Sequence, residues 1–375
     1  MRSNARILRT ACLSGLLALA PWPAGLGCSR EEATDPSTTT APATASAPSG
    51  PTPADARDNP DAPRALPDTN ELAGWTKIEP IQQASLEGIR LGPRWDPATL
   101  AACLATFPID RIWTCAYASR QGKASVVFFE TPGPLDAFGL FSVLTQKPGV
   151  TARPEDGTML ESRVSDDTVD VIGWQGKVCV FVRASGFGDA ERLPSTERLA
   201  RRILFSIPWA DPPLIMRAMP RTMLADSKIR MVRRTRALRI ATEELRHVAE
   251  AELDDVLGLT GRELLWIAAI EKPADTQAAP ERGNSSRNIV WIAEYPDIQS
   301  TRRAFDRYQR RLTEPTTDLD RRTEVRAPHG RYVIGTWTAG AEKAAPVLPA
   351  LLDMLPTDDV ATRRSANARS AGNTH

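Results

Sequence analysis

The sequence has little of what most catalytic sites are built from. Only three histidines and five cysteines occur in 375 residues, and no set of them stands at a complete zinc-ligand spacing. There is no glycine-rich phosphate loop and no nucleophile elbow, so the phosphate-cradling and serine-hydrolase classes have no foothold. Charge of one sign is lacking too. Removing Arg2, Arg6 and Arg9 of the N-terminal segment from the 47 basic residues leaves 44 against 46 acidic ones, a net of −2. That balance excludes a dedicated nucleic-acid binder and names no other partner. No apolar run is long enough to span a bilayer as a helix.

What is present first is an address. Three arginines precede a short apolar run from about Ala11 to Ala20, the layout of an export signal. The segment Ala24-Gly25-Leu26-Gly27-Cys28 resembles a bacterial lipoprotein box, with small residues before a cysteine that takes the lipid after cleavage. It departs from the usual box in having Gly25, not leucine, three places before the cysteine. The alternative cut after Ala18-Leu19-Ala20 would leave Pro21 directly behind it. The resemblance implies that residues 1–27 are a lipoprotein-type signal and that Cys28 is lipidated. The protein is then held in the cell envelope by an N-terminal lipid anchor. Ser29 resembles the outer-membrane sorting pattern, facing the periplasm, if the source is Gram-negative.

Residues 28–69 are dominated by Ser, Thr, Ala, Pro and charged residues and read as a disordered tether, since they cannot bury enough apolar surface to offset their ordering entropy. Residues 357–375 read as a disordered tail. Between them the chain repeats itself. Val126-Val127-Phe128-Phe129 leads into Glu130-Thr131-Pro132 and a helix bearing Ala137-Phe138; Ile289-Val290-Trp291-Ile292 leads into Glu294-Tyr295-Pro296 and a helix bearing Ala304-Phe305. A hairpin return follows each, Gln175-Gly176-Lys177-Val178 and His329-Gly330-Arg331-Tyr332. Each unit closes on an apolar residue plus proline, Ile207-Pro208 and Leu355-Pro356.

The expected fold is α+β in two similar halves, residues 70–220 and 221–356, each an antiparallel sheet with helices packed on one face. Short β-branched and aromatic runs at 124–130 and 177–183 favour strands. The run Val178-Cys179-Val180-Phe181-Val182 is apolar on both faces and should be covered on both sides or central. Asp96-Pro97 predicts a helix start. Helical spacing is expected at 196–207, 298–312 and, on an acidic helix, 243–255.

Gly74-Trp75, Asp136-Ala137-Phe138-Gly139, Trp174-Gln175-Gly176-Lys177, Pro212-Pro213-Leu214, Met219-Pro220 and Tyr295-Pro296-Asp297 together resemble a bacterial domain family of unknown function found in exported proteins and lipoproteins. The resemblance covers about residues 70–356. It departs at Leu100-Ala101-Ala102-Cys103, where relatives often carry Gly-Gly-Ala. It implies export and supplies no activity and no catalytic residue.

Candidate sites are few. Glu244 and His247 match one half of a Glu-x-x-His metal motif, but a di-iron bundle needs two copies plus two further glutamates, and a solvated flank is the simpler reading. His329 reads as a turn residue with no nucleophile nearby. The adjacent acids Asp166-Asp167 and Asp254-Asp255 read as surface. Cys103, Cys115 and Cys179 are compatible with one bridge, Cys103–Cys115 or Cys115–Cys179, or with three buried thiols, which the size of the chain favours. The tryptophans beyond the signal are spread one per element, which suits core anchors better than a sugar-stacking patch. Basic residues do cluster: Arg233, Arg234 and Arg236 in one segment, and Arg302, Arg303, Arg307 and Arg310 on the polar side of the helix near 298–312. They form a candidate face for an anionic polymer or lipid. No metal, no cofactor and no nucleic acid is expected. The sequence therefore favours a lipid-anchored, non-enzymatic binding or interaction module of the envelope. The alternative is an extracytoplasmic hydrolase or metal-dependent enzyme whose site assembles between the halves.

Overall fold

A computed structural model describes residues 59–68, 72, 74–92, 95–145, 159–218, 224–242, 245–270, 288–326, 328–338 and 355. The signal, Cys28, Glu244 and the closing helix expected before Leu355-Pro356 lie outside them, apart from Leu355 itself.

The protein is α+β, with two antiparallel sheets. The first contains β1 (Thr76–Gln83), β2 (Arg111–Ala118), β3 (Lys123–Glu130), β4 (Met159–Val164), β5 (Thr168–Gln175) and β6 (Val178–Ser185), in the order β1-β2-β3-β6-β5-β4. The second contains β7 (Leu224–Val232), β8 (Leu264–Ile270), β9 (Asn288–Glu294), β10 (Thr323–Val325) and β11 (Tyr332–Trp337), in the order β7-β8-β9-β11-β10. The second order is the first without its outermost strand. The register repeats as well. Glu130 faces Val178 and Glu294 faces Tyr332. Next to these pairs the Thr131 N–H donates to the Lys177 carbonyl at 3.0 Å and the Tyr295 N–H to the Arg331 carbonyl at 2.9 Å. Both hairpins turn through a glycine of positive φ, Gly176 at 53° and Gly330 at 56°, a conformation that strains residues carrying a Cβ.

The helices among the described residues are α1 (Pro97–Leu104), α2 (Pro134–Leu144), α3 (Asp189–Phe205), α4 (Leu214–Ala218), α5 (Thr235–Ala241), α6 (Glu250–Leu257), α7 (Ile298–Thr313) and α8 (Asp318–Arg321). Asp96 caps α1, its carboxylate accepting from the Thr99 N–H at 2.8 Å. Side-chain alternation in β6 decides how they stack. Val178, Val180 and Val182 join the core of Leu199, Ile203 and Leu204 on α3. Cys179 and Phe181 join the other core, with Phe138 and Phe141 of α2. The first sheet is thus covered on both faces, as the two-sided apolar pattern of β6 requires.

Helix α2 also covers the second sheet. Phe138 lies between Trp174 of the first sheet and Trp266 of the second, with ring centroids at 5.4 and 5.9 Å. Trp266 and Trp291 sit on opposite faces, because Trp266 pairs with Ile292 and Ile267 with Trp291. The Trp291 face meets Tyr308 of α7 at 5.4 Å. The order of layers is α3, first sheet, α2, second sheet, α7. Along α2, the stripe Asp136, Gly139, Ser142 runs against β7. A Cβ on Gly139 would stand 2.7 Å from Met231 Cε and 2.9 Å from Phe107, so a larger residue here would have to displace those side chains. Ser142 Oγ accepts the Met231 N–H at 3.0 Å, which satisfies a donor on an edge strand.

Several expectations need adjustment. Residues 59–68, read as tether, lie on the first half: Leu66 is buried with Trp75, and the Tyr117 hydroxyl donates to the Pro67 carbonyl at 2.9 Å. Ala62 and Ala65 pack beside Leu66, the Asn59 N–H donates to the Ile81 carbonyl at 3.3 Å, and Lys77 holds Asp68 at 2.6 Å, so this stretch is held despite its composition. The helix placed at 243–255 is α6 and begins only at Glu250. Residues 245–248 form turns, His247 is exposed there, and Ala249 is exposed instead of buried. Helix α3 begins at Asp189, seven residues before the expected start.

Among the described residues, Cys103, Cys115 and Cys179 are three separate buried thiols. Burial pushes the Cys103 thiol up to about 12 and drives Cys179 higher as well, which removes both from nucleophilic chemistry at neutral pH. Of the tryptophans outside the signal only Trp209 is exposed; the others are core anchors.

Candidate functional site: an arginine-lined groove between α1 and α5

Most ionisable groups that enter the interior are neutralised there. Arg183 holds Asp170 through two hydrogen bonds of 2.7 Å. Arg233 holds Asp136 at 2.6 Å, Arg331 holds Glu294 at 3.2 Å, and Arg311 holds Asp320 at 2.8 Å. Burial raises the pKa of Glu294, opposed by Arg331, the Trp266 indole and Arg233. These pairs tie strand ends and helices together, and their charges are spent on one another.

A groove of about 660 Å³ lies between the first turns of α1 and the outer side of α5. Ala98, Ala102 and Ile240 make its apolar floor, and the buried Trp95 closes one end. Arg236 and Arg239, three apart on α5, enter from one side because i and i+3 share a helical face. Arg246 enters from the turn before α6. Among the described residues neither Arg236 nor Arg246 has a carboxylate partner. Arg239 donates to the Arg246 carbonyl at 3.1 Å and stands 3.9 Å from Glu250, a contact too long to satisfy it. Its Nε is buried without an acceptor among the described residues, and such a donor costs stability until something accepts from it. Two acids stand at the rim. Asp96 caps α1, and the Thr99 backbone N–H, then its hydroxyl, lowers the Asp96 pKa. Glu250 opens the first turn of α6. The groove therefore presents three guanidinium groups above an apolar floor, suited to an acidic group attached to a less polar body.

Of the seven arginines nominated by sequence, only Arg236 lies here. Arg233 is committed to Asp136, and Arg234 sits at the start of α5 over Gly261. Arg307 donates to the Leu257 carbonyl at 3.1 Å, closing the end of α6, and stacks on Tyr308. Arg302, Arg303 and Arg310 are exposed on α7; Arg303 reaches Ser300, and Arg310 reaches the Asp306 carbonyl. Sequence reasoning missed Arg246 and Trp95. Arg239 lies three residues beyond Arg236, and that helical spacing was the available signal. His329 is half-buried in the β10–β11 turn, bridged to Tyr332. Asp166, Asp167, Asp254 and Asp255 are exposed. No group of three or more potential metal ligands occurs among the described residues.

No family model, no curated protein and no solved structure matches the chain.

Proposed function

We propose that the protein is a lipid-anchored extracytoplasmic binding module of the cell envelope that takes an acidic ligand, an envelope polymer or an acidic segment of a partner protein, in the α1–α5 groove. The address rests on the charged, apolar and small-residue order that ends at Cys28. The binding role rests on one observation: Arg236, Arg239 and Arg246 converge on a groove, whereas Arg183, Arg233 and Arg311 are each spent on an acid.

The test compares two charge-removing variants against an acidic oligosaccharide. Arg236→Gln with Arg246→Gln should weaken binding by about tenfold or more, since each charge-assisted hydrogen bond is worth ~1.5–3 kcal/mol. Arg302→Gln with Arg303→Gln, on the exposed face of α7, should change it by less than about twofold, as screened surface charges do. The reverse pattern would move the site to α7.

A further inference from the structure

We propose that the end of the first half formed by Phe205 and Trp209 seats on an anionic bilayer surface. Phe205, the last residue of α3, is 78% exposed and Trp209 is 51% exposed, whereas most large aromatics of the described residues are buried. Leu214, 37% exposed, follows shortly after. The pair is not on a loose loop. Gln175 Nε2 donates to the Ile207 carbonyl at 2.5 Å, and a Cβ on Gly176 would come within 2.5 Å of the Pro208 carbonyl oxygen. Residues 207–208 are thereby fixed against the β5–β6 turn, so the two rings are presented without further ordering cost.

Cations surround them. Lys177 is exposed on that turn, and Arg198 and Arg202 lie exposed on α3 in the two turns before Phe205. Of the acids near this end, Glu130 is held by Arg111 at 2.7 Å and Glu197 accepts from Ser162, while Asp211 and Glu191 are exposed. Exposed Trp and Phe flanked by Lys and Arg have the chemistry of the bilayer interface. The rings enter the boundary between headgroups and acyl chains, and the cations meet anionic headgroups. The seat does not require lipid on Cys28. An anchor there would only raise its local concentration at the membrane.

The experiment uses the full chain carrying Cys28→Ser, so that an anchor plays no part, in co-sedimentation with phosphatidylcholine vesicles with and without phosphatidylglycerol. The parent should partition onto the phosphatidylglycerol vesicles, less so at high salt. Phe205→Ser with Trp209→Ser should lower partition by about tenfold or more, and Arg198→Gln with Arg202→Gln by about threefold with a weaker salt dependence. These side chains are exposed, so thermal stability should be unchanged in both variants. Trp209→Phe should keep most of the partition and lose the blue shift of emission on vesicle addition. Equal partition by parent and aromatic variant, or no partition by the parent, would overturn the proposal. So would a parent that self-associates through this surface and ignores vesicles.

Discussion

Phe138→Ala should destabilise the whole folded part by about 4 kcal/mol, the loss expected for deleting a buried aromatic ring, and both halves should still unfold in one transition. The ring is 1% exposed and meets one tryptophan from each sheet. Its removal opens a cavity that neither sheet can close alone. Helix α2 faces Cys179 and Phe181 on one side and Met231 and Trp266 on the other, within a single core. The halves therefore cannot separate without exposing it. Calorimetry should show one endotherm moved down by about 10 °C. Two endotherms, with only the first half shifted, would mean that the sheets fold independently.

The second large effect concerns Asp320. Its side chain is 2% exposed. Burial works to raise its pKa, but the Arg311 guanidinium, the Thr317 N–H and hydroxyl and the Thr316 N–H hold it down to about 2. The same carboxylate completes a capping box with Thr317 at the start of α8. Asp320→Ala leaves Nε and Nη2 of Arg311 and the two threonine N–H groups without their acceptor, Arg311 keeping Asp255 through Nη1, and should cost about 3 kcal/mol. The pH dependence has a definite sign. The folded pKa lies below the ordinary value of 3.8, so this contribution is fully present above about pH 4 and is lost as pH falls toward 2. Asp320→Asn should flatten the fall in stability across that window. An unchanged slope would show that other carboxylates control acid unfolding.

How much of this was legible depended on whether a feature is local. The duplication could be read because both copies keep a Glu-x-Pro stop after an apolar strand and a glycine turn before the return strand, and each is enforced by its own backbone geometry. The dual role of α2 was hidden. Residues 136–144 are all buried, so its polar stripe of Asp136 and Ser142 gives no amphipathic contrast, and its meaning appears only beside Met231 and Arg233. The false start of α6 has a similar cause. Leu245 and Val248 are buried three apart, but by successive turns, Leu245 to Thr242 and Val248 to Leu245, that imitate helical spacing. The basic cluster at Arg233, Arg234 and Arg236 was visible as charge. Which arginines remained available was not, because Arg233 finds its carboxylate 97 residues earlier in the chain. The groove could not be foreseen for the same reason: α1, α5 and the turn before α6 meet only in three dimensions.

The proposed address of the groove rests on lipid at Cys28. The direct measurement is the mass of the N-terminal peptide of protein purified from the membrane fraction of its own cells. The account predicts a chain that begins at Cys28 and carries acyl groups on that residue, and no acyl group on the chain carrying Cys28→Ser. A chain cut after Ala20, or one that retains residues 1–27 with an unmodified Cys28 thiol, would contradict it.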